Sequence, residues 1–248
     1  MNTILQLQYD YTSFPNLSSL KEIEIKKGSE DYGQNLANLL SELKCNPYYI
    51  RSIMQSTFHA NMNDKVFYHS PLHVLSILSF AQINGIALED WELLAIYFHD
   101  AIYRPDGKKN EINSIQFMLA LLSDTGISST VLSKTANGIQ ATAMHLDEDV
   151  DPTVEKLLDL DIHIFSLPGA KYVEQSNNIR QEWVNEDPLF NGVTNIEFTK
   201  GRIQFLEKFS SKKSIFRTDF FKKSWETNAR NNINMEIDIL KEYLNKNI

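Results

Sequence analysis

Along most of this chain apolar residues recur three or four positions apart, the spacing of a helix face. The pattern begins near residue 34, where Leu36, Leu39, Leu40 and Leu43 share one side, and breaks at Asn46-Pro47. A second helix is expected over about 48–60. A third starts at Pro71, because proline's missing N–H costs nothing in a first turn, with Ser70 as N-cap and Asn84-Gly85 as the stop. Further helices are expected over about 88–100, 110–124, 128–145, 152–165 and 169–184. Arg104-Pro105-Asp106-Gly107, Gly126, Pro152 and Pro168-Gly169 punctuate them. After a turn-rich stretch, Asp187 to Asn195, two or three more helices reach the C-terminus, the last carrying Ile233, Ile237, Leu240 and Leu244. The alternation of half-buried strands is nearly absent. The expected fold is all-α, an irregular helical bundle forming a single domain over 31–248. Residues 1–30 lack a clear period and read as an arm packed on that domain.

Composition narrows the range of functions. A chain of 248 residues, 42% apolar and 23% charged, can bury one substantial core and is neither disordered nor fibrous. A net charge of -8 and a pI near 5.3 argue against gripping duplex nucleic acid through its phosphates. They leave room for a small phosphorylated substrate, because one bound cation can dominate the field inside a cleft. Cys45 is the one cysteine, which excludes an intrachain disulfide and a thiolate cluster and fits a reducing, cytoplasmic setting. With no basic flank leading into a sustained apolar run, neither secretion nor a membrane span is expected. A homo-oligomer remains open.

Three histidines fall in two short segments, YHSPLH at 68–73 and FHD at 98–100. His69 and His73 are spaced to share a face, although Pro71 leaves His69 just ahead of its helix. His99 and Asp100 close the apolar stretch WELLAIYFHD, where an unpaired buried carboxylate is costly and a divalent cation would neutralise it. The segment KLLDLDIHIFSL adds Asp159 and Asp161. Two apart on a helix, they project about 200° from each other, so one of the two can face a shared site. Imidazoles and carboxylates together suit Mn, Mg, Fe, Co or Zn. Such a cation lowers the pKa of water and polarises a phosphoryl oxygen, the two tasks of phosphoester hydrolysis.

An HxxxH segment, a later FHD and a distant aspartate in a helical chain resemble the HD (histidine–aspartate) superfamily of metal-dependent phosphohydrolases. YHSPLHV, FHDAIYRPDGKKNEINS, ATAMH, LLDLDI and IRQEW are similar to a bacterial subgroup of predicted HD phosphohydrolases, over roughly residues 35–245. The resemblance implies a divalent metal held by His73, His99, Asp100 and Asp161, with Asp159 in reserve. It also implies that His69 matches the proton donor of related cyclic-nucleotide phosphodiesterases, with Ser70 replacing their asparagine.

Around this set, Glu111 either orients water or simply favours the first turn of its helix, and His145 either contacts substrate, ligates a second metal or meets a helix C-terminus. Arg180, Tyr172, Lys108 and Lys109 are candidates for binding substrate, Arg180 as a bidentate phosphate grip, while both lysines equally suit a solvated loop and Tyr172 a place in the core. The subgroup tends to carry a second tyrosine where this chain has Gln175. His59 and His163 join no motif. Glu226 and Arg230 are spaced to pair on one helix face, and Asn232 completes a subgroup signature without evident chemistry. The expected function is hydrolysis of a nucleotide-like or other small phosphorylated compound. The alternatives are an HD-fold di-iron oxygenase and a non-catalytic nucleotide-binding module.

Overall fold

The computed structural model describes residues 31–61, 67–105, 107–184 and 193–248. The expected arm over 1–30 and most of the turn-rich stretch lie outside the described residues. Ten α-helices follow in order among the described residues: α1 (31–42), α2 (Pro47–Asn61), α3 (Pro71–Ile83), α4 (Asp90–Phe98), α5 (Asn110–Leu122), α6 (Ser129–Thr142), α7 (Glu155–Asp161), α8 (Gly169–Trp183), α9 (Asn195–Ser211) and α10 (Asp219–Asn247). Among the described residues there is no strand beyond an isolated bridge between Val184 and Val193. The chain is an all-α bundle, as its periodicity predicts, and among the described residues no helix is long and apolar enough to cross a membrane.

Local chemistry sets the helix ends that matter for the site. Pro71 occupies the first turn of α3, which His73 N–H closes by donating to Ser70 O at 2.9 Å. Ser70 holds the N-cap position with extended backbone, but its hydroxyl makes no capping bond. At the other end Gly85 adopts φ +64°, a left-handed conformation that other residues take at a cost, and Ile86 N–H reaches back to Ala81 O.

α4 is apolar on nearly every side, and Leu94, Ala95, Ile96, Tyr97 and Phe98 are all buried, which makes it the central element. It packs most extensively on α6. That approach requires Gly138, since a Cβ there would come within 2.8 Å of the Trp91 ring and 2.9 Å of Leu157.

The helix expected over about 152–165 is broken into three parts: a 3-10 turn at Pro152–Val154, α7, and a second 3-10 turn at Ile162–Ser166. Side chains past the end of α7 take carbonyls of α7 and of the turn that follows it, with His163 Nδ1 at 2.8 Å from Leu160 O and Ser166 Oγ donating to His163 O at 2.6 Å. Helices α8, α9 and α10 are joined by the buried carboxylate of Glu236. It accepts from Tyr172 Oη, from Ser176 Oγ at 2.5 Å and from Arg202 at 2.9 and 3.2 Å. A buried charge set this fully paired is stable; removing one member leaves the others costly.

Candidate metal centre and its cavity

Where α3, the end of α4 and the end of α7 meet, one donor atom from each of His73, His99 and Asp161 lies within 4.8 Å of the others. Oδ1 of Asp161 is 3.1 Å from His73 Nε2 and 3.3 Å from His99 Nε2. Asp100 adjoins, its Oδ2 at 2.9 Å from His99 Nε2 and 4.0 Å from His73 Nε2. On the opposite side of the same carboxylate, Oδ2 of Asp161 meets His145 Nε2 at 2.8 Å.

The histidines are set for ligation. His99 Nδ1 lies 3.0 Å from Ile96 O, so the Nδ1–H is donated to that carbonyl and Nε2 turns to the carboxylates. That buried Nε2 lies between the two carboxylates, 2.9 Å from Asp100 Oδ2 and 3.3 Å from Asp161 Oδ1. A nitrogen aimed at a space shared by two carboxylates is what a cation would occupy, and the donor set fits one.

Electrostatics agree with the geometry. Burial opposes charge on His99, but Asp100 and Asp161 outweigh it and hold its pKa well above the usual histidine value. Burial keeps His73 below that value despite Asp161. Asp161 stays well below the ordinary carboxylate range: burial works to raise it, and His99 with bonds from His145 and His73 prevails.

Asp159 faces away from this centre. Its oxygens accept from Arg217 N–H at 2.7 Å, Thr218 N–H at 2.8 Å and Thr218 Oγ at 2.7 Å, at the start of α10. Burial nevertheless pushes its carboxyl up to about 6 against those bonds. The angular separation on one helix thus divides the pair into a site residue and a tether.

The centre opens on a cavity of about 420 Å³. His69, Asp100, Glu111, His145 and Asp161 all reach its wall. His69 is fixed by Glu182, which sequence reasoning did not single out. Glu182 Oε1 accepts the consecutive backbone N–H groups of Phe67, Tyr68 and His69, and Oε2 lies 2.6 Å from His69 Nδ1. Tyr103 stacks on the His69 ring with centroids 3.8 Å apart.

Burial works to lower the His69 pKa, yet Glu182 and Asp100 raise it. A signal for Glu182 was present: the N–H groups ahead of Pro71 have no helical partner and need an acceptor.

No family model, curated protein or solved structure matches this chain.

Four expected substrate contacts are not at the cavity. Tyr172 is fully buried and spends its hydroxyl on Glu236, because its face of α8 points into the bundle. Arg180 is 5% exposed and bonded to Asn195. Two residues apart on α8, Arg180 and Glu182 project in different directions, and Glu182 has the side that reaches His69. Lys109 is exposed at the N-cap position of α5, as Lys108 is in the loop before it, and neither reaches the cavity wall.

The residues without assigned chemistry are structural. Glu226 pairs with Arg230 at 2.7 Å, and both bind the backbone of the α9–α10 connection. Asn232 donates to Phe165 O and Leu167 O, holding the turn after α7. His163 is buried, with Nε2 2.8 Å from Ser76 Oγ, and His59 is exposed. Arg217 was also missed: its guanidinium donates to the carbonyls of Met144, His145 and Asp147, which fixes the segment carrying His145.

Proposed function

We propose that this chain is a metal-dependent phosphohydrolase acting on a small phosphorylated compound. The observation that carries the reading is the meeting of His73, His99 and Asp161, with Asp100 beside them, at the wall of a cavity that also holds His69. The resemblance of the same residues to the HD superfamily ligand set supports it.

A divalent cation held there by His73, His99, Asp161 and Asp100 would polarise a phosphoryl oxygen and lower the pKa of water. His69 has Nδ1 committed to Glu182, which leaves Nε2 to give a proton to the departing oxygen. Its pKa, raised by Glu182 and Asp100 against burial, keeps that proton on the ring to higher pH than an ordinary histidine would. Glu111, half-buried on the same wall, is placed to orient water.

Metal analysis of purified protein, followed by assay against phosphorylated metabolites with Mn2+ and Mg2+, tests the proposal. Asp161→Ala and Asp100→Ala are expected to lose both metal and turnover. Undiminished turnover in either variant would overturn it.

One observation favours a second reading. His145 on the far oxygen of Asp161 supplies the extra nitrogen that a di-iron oxygenase requires. Two irons per chain with oxygen uptake, and no phosphate release, would select it.

A further inference from the structure

The cavity beside the metal centre is unlike a polyphosphate site. Away from Asp161 its wall is built from Ile162, Ile179, Trp183, Phe198 and Phe205, contributed by the turn after α7 and by α8 and α9. Among the described residues, the wall holds one arginine, Arg202, and no lysine. Arg202 is committed to Glu236 through two nitrogens and lies over the Phe205 ring at 5.5 Å. Four carboxylates reach the same wall, on Asp100, Glu111, Asp161 and Glu197. Arg180, the arginine whose sequence position suggested a phosphate grip, is turned to Asn195.

A chain of phosphates carries several negative charges and is ordinarily met by arginine forks, lysines or helix N-termini. Here a cation at the centre answers one anionic head; the first turns of α5 and α9 also reach the wall, but each presents a carboxylate there, Glu111 and Glu197, and much of the remaining surface is apolar. Small-molecule sites of this kind, apolar with a few convergent polar groups, take their affinity from the apolar body and their orientation from the polar end.

We infer that the cavity takes a phosphomonoester whose esterified body is apolar and of aromatic size, seated against Trp183, Phe198 and Phe205, and that it discriminates against nucleoside di- and triphosphates. The identity of the head rests on the phosphohydrolase reading; the apolar body does not.

Two measurements separate these. The first is calorimetric binding of naphthol, the neutral body alone, to the metal-free protein. The second is kcat/KM with Mn2+ for naphthyl phosphate against adenosine monophosphate and adenosine triphosphate. Naphthol is expected to bind, and Phe205→Glu and Trp183→Gln each to weaken it about tenfold. Thermal melts of both variants show whether the fold is kept; Phe205, at 38% exposure, tolerates a polar side chain. Naphthyl phosphate is expected to exceed both nucleotides in kcat/KM. Naphthol binding with the expected variant losses, but no turnover of any ester, upholds the apolar seat and removes the phosphohydrolase reading. Turnover with either nucleotide preferred upholds the hydrolase and overturns the inference, as does a folded wild type that does not bind naphthol.

Discussion

Glu182 gives one carboxylate oxygen to three successive backbone N–H groups, ending with that of His69, and the other to the imidazole of the same residue. Ring and backbone of His69 are therefore placed by one side chain from α8. If His69 supplies a proton, activity requires its charged form and falls as pH rises through its raised pKa.

In Glu182→Gln that fall is expected at lower pH, with kcat reduced about 10–100-fold, the usual scale for loss of a group orienting an active residue. Glu182→Ala also strands the three N–H groups and is expected to cost about 1–3 kcal/mol for the unsatisfied donors. A pH–rate profile of Glu182→Gln superimposable on wild type would refute the positioning role.

The two aspartates of α7 give opposite expectations. Asp161→Asn is expected to lower metal affinity beyond the roughly 10–100-fold that loss of an outer partner brings. Asp159→Ala is expected to keep the metal stoichiometry and to lose about 1–3 kcal/mol of stability, because two backbone N–H groups and a hydroxyl at the start of α10 lose their acceptor. Metal titration and urea unfolding of both variants decide it; the reverse assignment would show as metal loss in Asp159→Ala.

Much of this arrangement was legible in the sequence, and the exceptions share a cause. Periodicity located the helices because each has an apolar face to bury. It could not show that Pro152 and the bonds of His163 and Ser166 divide one apparent helix into three pieces, since those bonds depend on side-chain rotamers. Residue type and motif suggested His73, His99 and Asp161, and the spacing of Asp159 and Asp161 showed that they face apart.

Arg180 and Tyr172 were misplaced because a strand of sequence does not say which face of α8 meets the cavity. Both lie in the bundle, where Asn195 and Glu236 satisfy them. Glu182, in the same IRQEW string, was the residue at the site.

Metal binding is expected to release protons. His99 in the metal-free centre has a pKa held well above the ordinary value by Asp100 and Asp161, against burial, so a cation must displace a proton from Nε2. Affinity for Mn2+ or Zn2+ should fall as pH is lowered, by about tenfold per pH unit for each proton displaced. Calorimetry in buffers of different ionisation enthalpy measures the release near neutral pH. Buffer-independent heats would contradict it, and His99→Ala should abolish both the release and most of the binding.

The metal-free protein is expected to lose stability in acid through His163. Burial, with His73 as a lesser cause, holds its pKa at about 4 against an ordinary 6.5, so the folded state keeps it neutral. Between these values the unfolded chain binds the extra proton, and stability rises with pH. The contribution is complete above about 6.5, declines as pH falls, and is gone near 4; it amounts to about 3 kcal/mol in all. His69 and His99, whose pKa values are raised, act above this window, where they stay charged in the fold after the unfolded chain has lost its protons. Asp159, pushed up to about 6, opposes His163 over part of the window, so the comparison that isolates His163 is with a variant. Urea unfolding with chelator at several pH values between 4 and 6.5 should give a slope for wild type steeper than that of His163→Gln by up to about 1.4 kcal/mol per pH unit. Equal slopes would mean that His163 takes up a proton in the folded state, and that the bonds to Leu160 and Ser76 do not keep it neutral.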